Sequence, residues 1–213
     1  MSRSELDAAR DEIAAVGRML STAGLSPGTT GNLSVRVGEA IVCTPTGSRL
    51  SSLDPEDLSV IALDGSRMSG PTATKETFMH RAMYAADASF TAVVHLHSPF
   101  ATAVSCLRTT DPEDAIPPMT PYLAMRAGKV RLIPYFPPGD AGVTDPIIHA
   151  VSEGGSAILL GNHGSLIGGA TLSDAASTAQ ELEEAARLQL ITDGMPVRYL
   201  SDDERAALQI RRP

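Results

Sequence analysis

The sequence predicts an α/β domain in which helices cover a sheet that is at least partly antiparallel. Short apolar runs and amphipathic helical segments intermix along the whole chain. No internal repeat, low-complexity tract or linker separates them. Two strand-like runs, 33–37 and 40–44, flank a turn at Gly38 and predict a hairpin, which requires antiparallel pairing. We therefore expect residues 1–213 to form a single domain.

The N-terminal half is predicted to begin with an amphipathic helix. Leu6, Ile13 and Leu20 belong to an apolar stripe at helical spacing that ends near Gly24. Beyond the hairpin, 59–63 is predicted as another short strand, because turn residues close an apolar run there.

The next two elements carry most of the polar side chains of interest. A helix is predicted to open at Thr74, whose hydroxyl can cap it. An apolar run then predicts a buried strand at 92–97. The buried stripe expected on the helix consists of Phe78, Ala82, Met83 and Ala86.

Two helices of the C-terminal half are marked by proline. Ser98-Pro99 and Thr120-Pro121 each combine a capping hydroxyl with proline at the first helical position, and Gly128 ends the second helix. Further helices are predicted from Thr144 to about 154 and, after a cap at Ser173, to about 194. The remaining segments are predicted as strands at 130–133, 157–160 and 165–167, a loop at 134–142, and a polar tail at 196–213 that wraps the surface or a neighbour.

Composition excludes several classes of partner. The 213 residues carry a formal net charge of −8 and a pI of about 5.0, so bulk attraction to nucleic acid or to an anionic membrane is not expected. Residues 1–10 are polar, unlike a signal peptide, and no apolar run approaches the length of a membrane span. We expect a cytoplasmic protein. Cys43 and Cys106 lie in apolar surroundings and are expected to be buried, reduced thiols.

The motif His95-Leu96-His97 predicts a metal site. Side chains alternate along a strand, so two histidines at this spacing face the same way and can share one ion. His163, which also follows an apolar run, could supply a third ligand. Hydrogen-bonded core histidines are the alternative interpretation. Imidazole ligands suit Zn²⁺ first and other divalent transition metals second.

Glu76 is the second candidate, because it lies in the predicted first turn of the Thr74 helix, where the helix dipole stabilises a carboxylate. His80, four residues on, shares its face and could itself be a ligand. Three small polar turns, 29–32, 44–48 and 72–75, could together cradle a phosphate, although each alone is an ordinary turn. The chain has no nucleotide-binding glycine motif and no nucleophile elbow.

Five of these motifs, in order, resemble a known superfamily. They are Thr-Gly-Asn-Leu-Ser-Val-Arg at 30–36, Thr-Pro-Thr-Gly at 44–47, Thr-Lys-Glu at 74–76, His-Leu-His at 95–97 and Asn-His-Gly at 162–164. This arrangement is similar to the class II sugar-phosphate aldolases, epimerases and decarboxylases, typified by fuculose-phosphate aldolase. The resemblance implies a three-layer α/β/α fold with a central, mostly antiparallel sheet flanked by helices. It also implies a homotetramer with sites at the subunit interfaces.

The resemblance also implies roles for individual residues. It places Zn²⁺ on His95, His97 and His163, and makes Glu76 a metal ligand in the empty state and an acid/base in turnover. Thr74-Lys75 stands where aldolases often have Ser-Ser, which argues against a simple aldolase. The implied phosphate-binding residues are Gly31, Asn32, Thr46, Gly47, Thr74 and Lys75.

Stretches at 71–80, 92–106, 116–126 and 133–140 are similar to the 3-oxo-tetronate 4-phosphate decarboxylase branch. That branch implies loss of carbon dioxide from a small phosphorylated sugar acid to give dihydroxyacetone phosphate, through an enediolate that the metal stabilises. The alternative is an aldolase that cleaves a fuculose- or ribulose-type sugar 1-phosphate, with an epimerase as a weaker variant. A non-catalytic scaffold would be expected to have lost the histidines or Glu76. Whether Tyr122 or the tail reaches a neighbouring site stays open.

Overall fold

The structure, a computed structural model, describes residues 2–209. Short 3₁₀ turns occur at 50–52, 55–57 and 141–143. The helices of the described part are α1 (Arg3–Thr22), α2 (Thr77–Ala86), α3 (Pro99–Ser105), α4 (Pro121–Ala127), α5 (Thr144–Ser152), α6 (Leu172–Ile191) and α7 (Asp202–Gln209). The strands are β1 (Asn32–Val37), β2 (Ala40–Cys43), β3 (Ser59–Ala62), β4 (Arg67–Ser69), β5 (Ala92–Leu96), β6 (Arg131–Ile133), β7 (Ala157–Leu160) and β8 (Gly164–Gly169).

All eight strands belong to one sheet, in the order β4-β3-β2-β1-β5-β8-β7-β6. Neighbouring strands are antiparallel except β6 and β7, which are parallel. Two apolar cores cover the two faces: α1, α3, α4 and α6 contribute to one, and α2 and α5 to the other. The expected three-layer arrangement with a mostly antiparallel central sheet is therefore confirmed.

The first helix and the hairpin agree with the sequence pattern. Ile13 and Leu20 are fully buried on α1. Val37 pairs with Ala40 across the turn at Gly38, whose φ of 57° lies in the left-handed region that glycine adopts without strain. Strand β4 was not predicted, because its three residues are all exposed and show no apolar alternation.

The start of α2 differs from the prediction. The helix begins at Thr77 with Glu76 at its N-cap, rather than at Thr74. Thr74 lies before the helix, and its backbone N–H donates to the carbonyl of Thr44, 3.0 Å away. The Thr74 hydroxyl instead accepts the N–H of Glu76 at 3.3 Å. Glu76 thus lies just outside the helix, with its backbone φ at −95°.

Capping also differs at two other helices. Thr171, not Ser173, is the N-cap of α6, and its hydroxyl accepts the Asp174 N–H at 3.0 Å. Ser98 precedes α3 as predicted, but its side chain makes no capping bond. The carboxylate of Glu183, on α6, accepts the first N–H groups of α3 instead. Thr120 likewise precedes α4 without a side-chain cap.

The described part of the tail lies against its own chain. Arg205 of α7 forms an ion pair with Asp114, and the Leu200 N–H donates to the Pro118 carbonyl. Residues 210–213 of the predicted tail lie outside the described residues. Cys43 is buried, whereas Cys106 is exposed at the C-terminal end of α3, contrary to expectation; neither forms a disulfide. None of the helices at residues 2–209 combines the length and apolarity needed to span a bilayer.

Candidate metal and substrate site

Strand β5 holds the first histidine at the middle of the sheet. Val94 and Leu96 belong to the core on one face, and Val93 belongs to the core on the α2 face. Because side chains alternate, His95 also faces α2, and it is fully buried. His97 follows the strand and turns its ring toward the same point, with ring centroids 4.9 Å apart.

A tight turn between β7 and β8 holds His163. Asn162 has a φ of 56°, a left-handed conformation that asparagine tolerates better than most residues. Gly164 lies so close to the Leu96 carbonyl that a side chain there would clash with the β5 backbone. The turn therefore sets His163 against the end of β5. Its ring centroid is 4.9 Å from that of His95 and 4.7 Å from that of His97.

Glu76 reaches the three rings from the N-terminus of α2. Its Oε1 lies 3.2 Å from His163 Nε2, and its Oε2 lies 3.4 Å from His95 Nε2. One ligand atom from each of Glu76, His95, His97 and His163 falls within 4.8 Å of the others. The structure thus brings together all four residues that the sequence predicted as metal ligands.

The protonation of the rings suits a cation. His95 Nδ1 lies 2.8 Å from the Ser165 carbonyl, which can only accept, so Nδ1 carries the proton and Nε2 offers its lone pair to the cluster. Burial lowers the pKa of His95 to about 3, and burial likewise lowers the pKa of His97. A neutral His95 whose lone pair faces the cluster, two further imidazoles and one carboxylate fit zinc or a similar divalent transition metal.

The carboxyl of Glu76 is held in its ionised form. Burial opposes ionisation, but the hydrogen bonds that the carboxylate accepts from His163 and from the amide of Asn32 outweigh it. The pKa of Glu76 therefore lies well below its usual range. Its side chain retains 20% exposure, so the carboxylate adjoins the space where a ligand would bind.

A cleft of about 360 Å³ opens beside this cluster. Glu76 and His97 line it, and Pro138 and Gly139 contribute from the 134–142 loop, which the sequence marked as similar to the decarboxylase branch but not as part of the site. All six predicted phosphate-binding residues line the same cleft: Gly31, Asn32, Thr46, Gly47, Thr74 and Lys75. Their role in phosphate binding stays a prediction, but their common location is observed.

Residues 11–190 match the sequence model of the family called the class II aldolase and adducin N-terminal domain. The chain belongs to this family.

Relatives of known name in this family include both decarboxylases and aldolases. A 3-oxo-tetronate 4-phosphate decarboxylase of Haemophilus influenzae is 42% identical over 197 residues, which are 92% of this chain and 93% of that relative. The Escherichia coli protein of the same name is 40% identical over 201 residues, 94% of each chain. A 5-methylthioribulose-1-phosphate/5-deoxyribulose-1-phosphate aldolase of Rhodospirillum rubrum is 35% identical over 170 residues, 79% of this chain and 74% of that relative.

Solved structures of the family share the whole fold. A Klebsiella pneumoniae protein described as belonging to the aldolases, epimerases or decarboxylases has a TM-score of 0.92 and 38% identity, covering 95% of this chain and 98% of its own. An L-fuculose 1-phosphate aldolase has a TM-score of 0.86 and 26% identity, covering 99% and 97%. The two relatives named as decarboxylases are thus more similar in sequence to this chain than the two proteins named as aldolases are.

His80 is not among the clustered ligand atoms, contrary to one of the sequence hypotheses. Its Nε2 lies 2.6 Å from Asn32 Oδ1, and Asn32 Nδ2 donates to Glu76 Oε2 at 2.6 Å. Burial lowers the pKa of His80 to about 4, so the ring is neutral. The i, i+4 spacing of Glu76 and His80 was the only sequence signal of this arrangement.

A second, smaller pocket of about 20 Å³ is also lined by Glu76. Phe78 and Met79 of α2, Phe136 and Pro138 of the 134–142 loop, and His163 contribute to its lining. Glu76 and the 134–142 loop thus contribute to both the cleft and this pocket, which motif reasoning did not predict.

Proposed function

We propose that this chain is a metal-dependent decarboxylase that converts a 3-oxo-tetronate 4-phosphate into dihydroxyacetone phosphate and carbon dioxide. One observation carries the proposal: the cluster of three histidines and Glu76 opens into the cleft that contains the predicted phosphate turns. A substrate with a phosphate at one end and a reacting oxo acid at the other matches that layout. The decarboxylase names of the relatives at 40–42% identity support the choice of reaction.

The reaction needs one bond broken and one proton added. The bond between C2 and the carboxylate breaks, carbon dioxide leaves, and the electron pair stays on the substrate as an enediolate across C2 and C3. A proton added at C2 then gives dihydroxyacetone phosphate. A divalent metal held by His95, His97 and His163 would supply Lewis-acid stabilisation of the negative charge on the substrate oxygens.

Glu76 is the proposed proton carrier. Its carboxylate is ionised, partly exposed to the cleft and held by hydrogen bonds at a defined position. A carboxylate at that position can take up a proton and deliver it to the enediolate carbon once bound substrate draws it away from the histidines whose contacts lower its pKa.

The part of the cleft lined by the three polar turns would bind the phosphate. Gly47, with a φ of 73° and open space where a side chain would begin, leaves room for backbone N–H groups to approach an anion. The hydroxyls of Thr46 and Thr74 add donors, and Lys75 adds positive charge. Binding energy gained there orients the oxo acid without touching the bond that breaks.

An aldolase is the second candidate, because cleavage of a sugar 1-phosphate leaves the same kind of enediolate. The Rhodospirillum rubrum aldolase at 35% identity supports it. Product analysis separates the two. Zinc-loaded protein given 3-oxo-tetronate 4-phosphate should release equal amounts of carbon dioxide and dihydroxyacetone phosphate. Absence of gas, with cleavage of fuculose or ribulose 1-phosphate, would establish the aldolase instead.

We further propose that the metal is Zn²⁺ and that the chain, as one domain, assembles into a homotetramer. Nitrogen ligands favour zinc over magnesium or calcium. Tyr122 and Met125 on α4 expose 60% and 41% of their surface, which supports burial of this helix against another subunit. Metal analysis of the purified protein and light scattering after size-exclusion chromatography test these two points.

A further inference from the structure

A continuous row of polar side chains runs from the site into the core between α2 and β1. Asn32 Nδ2 is 2.6 Å from Glu76 Oε2, and Asn32 Oδ1 is 2.6 Å from His80 Nε2. His80 Nδ1 is 2.7 Å from Ser34 Oγ, which is 2.7 Å from the Tyr84 hydroxyl. Asn32, Ser34, His80 and Tyr84 expose 6%, 0%, 1% and 4% of their surface, so these four side chains are almost completely shielded from water.

The row forms because the spacing of polar residues along β1 matches their spacing along α2. Asn32 and Ser34 are two residues apart on β1, which places them on one face about 6.6 Å apart. Glu76, His80 and Tyr84 recur every four residues at the start and along one face of α2, about 6.0 Å apart. With the helix packed on that face of the strand, each polar side chain of one element lies between two of the other.

Only one arrangement of protons satisfies all four hydrogen bonds. An ionised Glu76 can only accept, so Asn32 donates through Nδ2 and accepts through Oδ1. His80 must then donate from Nε2 and, being neutral, accept at Nδ1 from the Ser34 hydroxyl. Ser34 in turn accepts from Tyr84, whose phenol stays protonated because burial raises its pKa. The buried partners of His80 and the carboxylate of Glu76 thus agree on a single orientation of the Asn32 amide.

We propose that His80, held by Ser34 and Tyr84, is a positioning residue that keeps the Asn32 amide group turned toward Glu76 and so fixes the Glu76 carboxylate for proton transfer. The proposal rests on the proposed role of Glu76 as proton carrier. Ordinary core packing would not require this row, because apolar side chains would fill the same volume without needing partners.

Three variants interrupt the row in different ways. Ser34→Ala removes the donor to His80, His80→Met removes both hydrogen-bonding nitrogens, and His80→Gln keeps one donor and one acceptor. Met83→Leu is the control, because Met83 is fully buried on the same helix and is not part of the row. Each variant is loaded with zinc, its bound metal is measured, and kcat and KM are determined well below its unfolding temperature.

Loss of a side chain that orients a metal-site residue through hydrogen bonds typically costs about 10- to 100-fold in activity. Ser34→Ala and His80→Met should lose kcat in that range with KM within about twofold, His80→Gln should recover most of it, and Met83→Leu should match the unaltered protein. Unchanged kcat in Ser34→Ala, equal losses in the two His80 variants, or losses that merely follow loss of metal would each overturn the proposal. Should His80→Met fail to fold, Ser34→Ala decides the outcome.

The reaction itself is checked first with the unaltered protein. If it cleaves a sugar 1-phosphate and releases no carbon dioxide, the decarboxylase proposal fails, and the same variants are measured on the cleavage reaction. If the unaltered protein is active in either reaction and the variants keep its kcat, the positioning proposal alone fails.

Discussion

The Asn32 amide nitrogen lies 2.6 Å from Glu76 Oε2, although 44 residues separate the two in sequence. This hydrogen bond links the first residue of β1 to the N-cap of α2. It also joins a residue predicted to bind phosphate to the residue predicted to move a proton. Under the proposed function, the orientation of the substrate and the orientation of the acid/base group depend on the same side chain.

Replacing Asn32 by aspartate should be more damaging than replacing it by alanine. Asn32→Asp puts a second carboxylate against Glu76, which disfavours two negative charges and raises the pKa of the pair. Asn32→Ala removes the hydrogen bond but adds no charge. We expect kcat to fall at least about 10-fold further in the aspartate variant, measured at matched zinc occupancy. Equal activities would show that the charge next to Glu76 is unimportant.

Glu76→Gln should retain metal but lose most of its turnover. The three histidines remain, while the amide can neither take up nor deliver the proton, so a loss of about 10²- to 10⁴-fold is expected. Bound zinc and the rate of carbon dioxide release are measured on the same sample. Near-normal turnover would remove Glu76 from the mechanism.

Removal of the metal should abolish activity and lower thermal stability. Chelation takes away a ligand that binds only the folded state, so the unfolding temperature should fall and recover when zinc is returned. His97→Ala should lose this zinc-dependent increase. His149, whose side chain is 73% exposed on α5, is the matched control, and His149→Ala should respond to zinc like the unaltered protein. An equal response in His97→Ala would place the metal elsewhere.

Acid should destabilise the metal-free protein between about pH 6.5 and 4. Burial lowers the pKa of His80 from 6.5 to about 4, so between these values the unfolded chain binds a proton that the folded chain does not. Stability is therefore complete above pH 6.5 and is lost as the pH falls toward 4. Urea unfolding at a series of pH values measures this, and His80→Gln should show a shallower decline. An identical decline would mean that His80 does not contribute.

Lys75 should matter for binding of the substrate more than for the chemical step. Because Lys75 lines the cleft but is not one of the clustered ligand residues, Lys75→Met should raise KM about 10-fold and change kcat little. Lys129 is exposed, lies outside the residues lining this cleft, and provides the control Lys129→Met. Steady-state kinetics on the phosphorylated substrate distinguish the two. An equal KM in both variants would argue against a phosphate role for Lys75.

Local patterns predicted most of the elements and the residues of the metal cluster. The alternation of His95 and His97 predicted that their rings face one side, and the structure brings the rings together although β5 ends at Leu96. His163, the third predicted ligand, lies on a turn that the flanking glycines mark in the sequence. The resemblance to the family indicated that these segments contribute to one site and added Glu76 as a ligand. The match of residues 11–190 to the family model confirms the family.

Contacts between distant segments could not be predicted in this way. Thr74 looked like a helix cap, but pairing of its backbone with Thr44 moves the helix start to Thr77. Glu183 caps α3 from a helix that follows it by more than 60 residues, which makes Ser98 unnecessary as a side-chain cap. The same holds for the row from Glu76 to Tyr84, because its bonds depend on how α2 packs on β1.

The most direct test of the central claim is the reaction of the zinc-loaded protein with 3-oxo-tetronate 4-phosphate in deuterated water, followed by NMR. The account predicts carbon dioxide and dihydroxyacetone phosphate in equal amounts, with one deuterium on the carbon that carried the carboxylate. A protein that leaves this substrate intact, yet cleaves fuculose or ribulose 1-phosphate, would contradict it.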